Sequence, residues 1–385
     1  MGCVTASKKW VLALVGACVL MGCDGDPAGS GPNLRLGTNI KSMAAVSATK
    51  AYITQWQSAE LVVVNPTDGT VTGSIDLSAY KTYAGSDSAE PYPYMDVVKV
   101  YGDKAYVACQ RLRMVDGGTY TSWVPADTSL IVVIDVNTDA VLDAIRLQGK
   151  NPTAMEAIGS RLFVACAGNF YVDDGCIEAV DLTSDSSLGT VVTEAALGGD
   201  IEKLTVVAAS KAYVTVMPQS ATSYANQLVE FNPTTGAVVG PVPRIGNAFG
   251  GAVYDGNLLY VADQSTTKPG IMVVDPATDT IVAGPFDVGM IPSGLTICGE
   301  YLVATTRDEG YAEANVGILS LTDTTQRYPN LLANGIATDN GITSFNGQVF
   351  VLERGSQQGM PNRLIAASVD QLRAGTVQYQ SNLSN

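Results

Sequence analysis

Seven times along the chain one short phrase comes back. Lys50-Ala-Tyr-Ile-Thr54 returns as Lys104-Ala-Tyr-Val-Ala-Cys109, Arg161-Leu-Phe-Val-Ala-Cys166 and Lys211-Ala-Tyr-Val-Thr215. It returns again as Leu259-Tyr-Val-Ala262, Tyr301-Leu-Val-Ala304 and Val349-Phe-Val351. The anchors Tyr52, Tyr106, Phe163, Tyr213, Tyr260, Leu302 and Phe350 recur at about 50-residue intervals, a period at which one supersecondary unit must stack on its neighbours to bury its apolar face. Anchors repeated at one strand position read as core between units. Length alone would suggest two or three domains. The repeat instead predicts one body spanning 33–385, with no linker between units.

Each unit has the same grammar. A short apolar strand leads through a tight turn into the anchor strand. A longer loop follows, then an apolar run such as Leu130-Ile-Val-Val-Ile-Asp135 or Ile271-Met-Val-Val-Asp275, then a compact turn and a fourth strand. The compact turns, among them Asn65-Pro-Thr-Asp-Gly69, Asn232-Pro-Thr-Thr-Gly236 and Asp275-Pro-Ala-Thr-Asp279, carry the Asn, Pro, Asp and Gly that reverse a chain between β runs. Seven such units with almost no helical period predict an all-β chain: a single seven-bladed β-propeller of four-stranded antiparallel blades. The expected blades are about 37–80, 95–149, 152–198, 201–246, 248–290, 292–336 and 339–380.

Thr278-Asp-Thr-Ile-Val-Ala-Gly-Pro-Phe-Asp-Val-Gly-Met-Ile-Pro-Ser-Gly294 resembles the YVTN-type propeller repeat, and Asn151-Pro-Thr-Ala and Arg161-Leu-Phe-Val-Ala fit the same pattern. The resemblance spans nearly the whole body. It implies the fold and says little of function. The sixth and seventh units depart from it, because Gly317-Ile-Leu-Ser-Leu321 and Leu364-Ile-Ala-Ala-Ser368 lack the Asp after the apolar run. Two segments compete to close the ring as the outer strand of blade seven: Leu34-Arg-Leu-Gly37, which is similar to Ile145-Arg-Leu-Gln-Gly149, and Thr376-Val-Gln-Tyr379.

The N-terminus reads as an address. Lys8 and Lys9 precede an apolar run from Trp10 to Met21, too short for a confident span and shaped like a secretory signal. The run ends in Leu20-Met-Gly-Cys23, which resembles the bacterial lipobox; Val15-Gly-Ala-Cys18 is a weaker copy, and a plain secreted signal is the alternative. The lipobox resemblance implies a signal peptide over 1–22, lipidation of Cys23, and a chain held at the bacterial envelope outside the cytoplasm. Residues 23–32 are Gly- and Pro-rich and read as a flexible tether. Cutting before Cys23 removes Lys8 and Lys9, so the formal charge of −15 becomes −17. Such a surface repels nucleic acid and anionic lipid and favours a monomer. The membrane is then met only through the anchor.

Propeller topology sends the loops between second and third strands, and those between blades, to one rim. The long ones are Gln110 to Ser129, Ala167 to Gly175, Arg307 to Asn315, Glu353 to Arg363, and the connection Ala79 to Met95. Long loops on a rigid scaffold are where function concentrates. They carry aromatics and arginines, the usual composition of binding hot spots. The candidate contact residues are Trp56, Tyr94, Arg111, Trp123, Tyr171, Arg307 and Arg354, engaging an envelope protein or a surface glycan. The same side chains also read as packing of one loop on another.

Chemistry is bounded by what is missing. The sequence has no histidine, which removes His-activated nucleophiles, His-ligated metals and c-type haem. It also lacks a G-x-S-x-G elbow and a phosphate-binding glycine loop. The expectation is a non-catalytic binding or scaffold module without metal or cofactor. The competing function is a small-molecule hydrolase of lactonase type, similar to propeller lactonases in fold only, using a carboxylate and an Arg at the channel mouth. Calcium held by rim acids such as Asp173 and Asp174 stays open, although the Asp-containing turns lack EF-hand spacing. Cys166 and Cys176 bracket the loop 167–175 and could staple it, with Cys109–Cys166 as the competing pair; Cys298 should stay unpaired.

Overall fold

A computed structural model describes residues 39–84, 89–116, 121–126, 128–218, 225–310, 313–332, 336–354 and 363–377. The leader, the tether, Cys23, Leu34-Arg-Leu-Gly37 and the end of Thr376-Val-Gln-Tyr379 lie outside them. Seven antiparallel sheets follow one another along the chain, six of four strands and a seventh with three among the described residues. Blade three shows the pattern: Pro152–Ile158, Arg161–Cys166, Cys176–Asp181 and Ser186–Thr193 pair in sequence order. The inner strands run from Ile40–Ser47 in blade one to Ile336–Phe345 in blade seven, and these two touch, closing the ring. Among the described residues helix is confined to Glu194–Leu197, Val369–Arg373 and a single 3-10 turn at Ser78–Tyr80. The fold is the all-β, seven-bladed propeller that the repeat predicts.

Burial explains the composition of each strand. A middle strand is covered by the neighbouring blade on both faces, so Leu130–Asp135 and Cys176–Asp181 are almost continuously buried and apolar. An outer strand has one wet face, so Ser186–Thr193 and Thr280–Phe286 alternate. The seven anchors, Tyr52 to Phe350, are all buried. Clusters form between blades: Tyr52 and Leu61 of blade one pack with Met95, Val98 and Val107 of blade two.

The tight-turn face holds an alternation of residue pairs. Tyr52 and Lys50 of blade one both reach Asp139 in the compact turn of blade two, at 2.5 and 2.7 Å. Tyr106 and Lys104 do the same to Asp185 of blade three, at 2.9 and 2.6 Å. Tyr213 and Lys211 do so to Asp279 of blade five. Each of these aspartates has positive φ, between 49° and 59°. Where the anchor is Phe, in blades three and seven, the next turn has Gly at that position: Gly236 and Gly69, both at φ 73°. A Cβ at Gly236 would meet the Val191 carbonyl oxygen at 2.1 Å, so an Asp has no room there.

The two irregular units also have local causes. The third strands of most blades end in Asp or Asn, whose side chain accepts turn N–H groups, as Asp181 does from Thr183 and Ser184. In blades six and seven Ser320 and Ser368 occupy that place. Ser320 Oγ accepts from Asp323 N before a two-residue outer strand, Arg327–Tyr328. Ser368 forms a capping box with Gln371 and starts the helix Val369–Arg373.

Candidate functional site

The long connections share the face opposite the tight turns. Blade two's loop is itself a hairpin, Leu112–Asp116 paired with Thr121–Pro125. Most sequence-predicted contact residues on this rim prove to hold the loops together. Trp56 donates its indole N–H to Gln110 Oε1 at 2.7 Å and packs edge-on to Tyr94. Tyr94 is 1% exposed and donates to Glu90 Oε2. Arg111 is 7% exposed; its guanidinium donates to the carbonyls of Thr128 and Lys81 and so ties the hairpin base to the connection from blade one. Arg307 donates to Gln264 Oε1 at 2.8 Å and to the Asp308 carbonyl. Tyr94 and Arg111 therefore support the rim and offer it no contact surface. Trp123 sits in a hairpin strand opposite Met114, and Arg354 ends the strand Gln348–Arg354; their side chains lie outside the described residues. Tyr120, Tyr224 and Tyr311 also lie outside them.

Tyr171 is different. It is 58% exposed, and its neighbours Phe170 and Val172 are 44% and 50% exposed. Three consecutive large apolar side chains thus stand in water at the tip of the loop 167–175. The loop beneath is fastened by carboxylates. Asp200 is almost fully buried and accepts from Tyr171 N through both oxygens, at 2.8 and 3.0 Å. Glu194 is fully buried and accepts from Gly175 N at 2.7 Å and Ile201 N at 2.8 Å. Asp174 accepts from Asn169 N and its side-chain amide, both at 2.7 Å. Burial outweighs these N–H bonds at Glu194 and, with the Asp200 and Asp174 charges, pushes its carboxyl up to about 7. Burial likewise raises Asp200. Asp174, named as a calcium candidate, has both oxygens engaged by loop donors.

Glu194 and Asp200 were not singled out from the sequence. A faint signal exists: Thr193-Glu194 is a helix N-cap followed by a first-turn acid, and Thr193 does cap Ala196 N. Nothing local says that both acids turn inward under a loop twenty-odd residues earlier.

Among the described residues, three ligand-type side chains converge at one place: Cys166, Cys176 and Glu178, all buried, with ligand atoms within 4.8 Å of one another. Both thiols are free here. Glu178 is already engaged, Oε2 by the N–H groups of Gln148 and Gly149, and Oε1 by Ser187.

The axial channel, about 500 Å³, is lined by inner strands of all seven blades. Its charged lining is Lys99, Glu156 and Lys203. Lys99 Nζ lies 2.8 Å from Glu156 Oε1. Burial opposes the lysine charge, yet the adjacent carboxylate prevails and lifts the ammonium above the usual lysine range. Among the described residues the channel carboxylate thus faces a lysine, and no arginine lines the channel.

No protein-family model matches the chain, and no curated protein matches it. Solved structures do. A Kuenenia stuttgartiensis hydrazine synthase chain aligns with a TM-score of 0.56 at 14% identity, covering 92% of this chain and 98% of that one. The structure titled Dos1 propeller aligns at 0.54 and 11% identity, with coverages of 90% and 84%. A chain of a mitotic checkpoint complex aligns at 0.54 and 12% identity, with 91% and 98% covered. At such identities the likeness is one of fold alone, and it is the propeller fold that these structures share with this chain.

Proposed function

We propose that this chain is a non-catalytic binding or scaffold module of the bacterial envelope, with YVTN-type blades, whose loop-rich rim engages a partner protein or surface glycan. Cys23 is its lipid anchor, residues 1–22 its signal peptide, and 23–32 the tether that lets the propeller reach its partner. The observation that carries the binding reading is the exposed run Phe170, Tyr171 and Val172, presented by a loop whose backbone is held from below by Asp200 and Glu194. Exposed aromatics on pre-ordered backbone bind at low entropic cost. A protein partner is favoured over a glycan by the apolar character of this tip. The lactonase-type reading finds less support, since among the described residues the channel carboxylate Glu156 is paired with Lys99 and no arginine lines the channel.

The test is capture from envelope extract with immobilised wild type and with a Phe170→Ser/Tyr171→Asp double variant that leaves the backbone acceptors in place. A partner retained by wild type and lost by the variant is expected. A partner retained equally by both would remove this tip from the interface. Turnover of a lactone or sugar acid by the wild-type protein would overturn the non-catalytic reading.

A further inference from the structure

Cys166 ends the anchor strand of blade three and Cys176 begins the next, with the nine residues 167–175 between them forming the rim loop. They are direct partners in the antiparallel register. Side chains so placed have Cβ atoms about 4.5–5.5 Å apart, within roughly 1 Å of the disulfide range. The two sulfurs lie within 4.8 Å of each other. Gly149 lies flat against both: a Cβ there would sit 2.7 Å from Cys166 Sγ and 2.8 Å from Cys176 Sγ. Among the described residues neither Cys109 nor Cys298 faces another cysteine across its sheet. Cys109 faces Met95 and Leu130 across its sheet, and Cys298 faces Tyr301. Cys109 is buried in the cluster between blades one and two and Cys166 in that between blades two and three, so the competing pair is not brought together.

We infer that Cys166 and Cys176 are a redox modification site: an external disulfide oxidises the pair to a cystine, and this bond sets how firmly the loop 167–175 presents Phe170, Tyr171 and Val172. The inference rests on the rim-binding reading for its consequence, though not for its chemistry. Cys176 is the first nucleophile, because it is the thiol with a solvent-facing edge, 6% exposed against 0% for Cys166. The Cys176 thiolate attacks one sulfur of the external disulfide and expels the other as a thiolate. Cys166 gives up its proton and attacks Cys176 Sγ in the mixed disulfide, expelling the second thiolate. Two protons and two electrons pass from the cysteine pair to the external disulfide, which leaves as two thiols. A metal ion is the alternative occupant of the cluster. It is disfavoured because Glu178 already accepts three hydrogen bonds through its two oxygens.

The experiment uses the full chain exported by its own leader, alkylated in intact cells before lysis. Non-reducing peptide mapping should find one cystine, Cys166–Cys176, with Cys109 and Cys298 as thiols. Chymotrypsin should cut at Phe170 and Tyr171 faster after reduction. Loop-closure entropy for this span corresponds to about a 100-fold change in loop opening. A Cys176→Ser variant should be cut at the reduced rate with or without reductant. Free thiols at both positions, Cys166 joined to Cys109, a metal retained on the reduced pair, or cleavage indifferent to reduction would each overturn the inference. None of these readouts involves a partner, so a failed capture experiment and a failed cystine are distinct results.

Discussion

The clamp between Tyr106, Lys104 and Asp185 makes a quantitative test of how adjacent blades recognise each other. Asp185 Oδ1 accepts from the Tyr106 hydroxyl at 2.9 Å and Oδ2 meets Lys104 Nζ at 2.6 Å. Tyr106→Phe removes one hydrogen bond to a charged acceptor, worth about 1.5–3 kcal/mol. Asp185→Gly relieves a left-handed backbone (φ 49°), a gain of about 1 kcal/mol. The same change strands the Tyr106 hydroxyl and leaves Lys104 without its carboxylate, at a cost of about 1–3 kcal/mol. The double variant recreates the Phe–Gly combination that blades three and seven make with Gly236 and Gly69. It should therefore be less destabilised than the two single changes added together, by about 1–2 kcal/mol. Urea unfolding followed by both circular dichroism and Trp fluorescence measures the cycle, provided the transitions coincide and m is unchanged. Additivity within about 0.5 kcal/mol would refute the claim that Tyr and Asp are coupled across the blade boundary.

Two further outcomes concern the loop and the anchor. The Glu194 carboxyl is pushed up to about 7 by burial, so the folded protein binds its proton more tightly than the unfolded chain does. The associated stability is fully present below the unfolded value near 4.5 and is lost as pH rises through about 7. Hydrogen exchange at Gly175 and Ile201 N–H should accordingly show added opening from pH 6 to pH 8, beyond the intrinsic base-catalysed increase, and Glu194→Gln should remove that added part. Exchange that follows the intrinsic rate alone in the wild type would contradict this assignment. Cys23→Ala should move the protein from the membrane to the soluble envelope fraction, and continued membrane association would exclude Cys23 as the anchor.

The architecture was legible because it is local and repeated. An apolar run between Asx turns makes a hairpin wherever it occurs, and seven of them at one period leave a propeller as the way to bury both faces of each middle strand. Even the inter-blade clamps are written in the chain once the geometry is known: Lys-Ala-Tyr precedes a unit whose turn ends in Asp, and an anchor Phe precedes one whose turn ends in Gly. The rim was legible as a place, since loop length alone identifies it. Its division of labour was not. Tyr94, Arg111 and Tyr171 look alike in sequence, each a large side chain in a long loop at positive φ. Tertiary packing buries the first two and leaves the third in water. That outcome depends on which carbonyls and carboxylates the folded loops bring up: Thr128 of its own loop and Lys81 of the preceding connection for Arg111, Glu90 one turn back for Tyr94, and Asp200 at the start of the next blade, which holds the backbone of Tyr171 and leaves its ring outside. Periodicity in the chain determines what repeats within a unit; which rim side chains are engaged and which stay exposed is decided by how the long loops fold on themselves and on the next blade, contacts that no repeat pattern encodes.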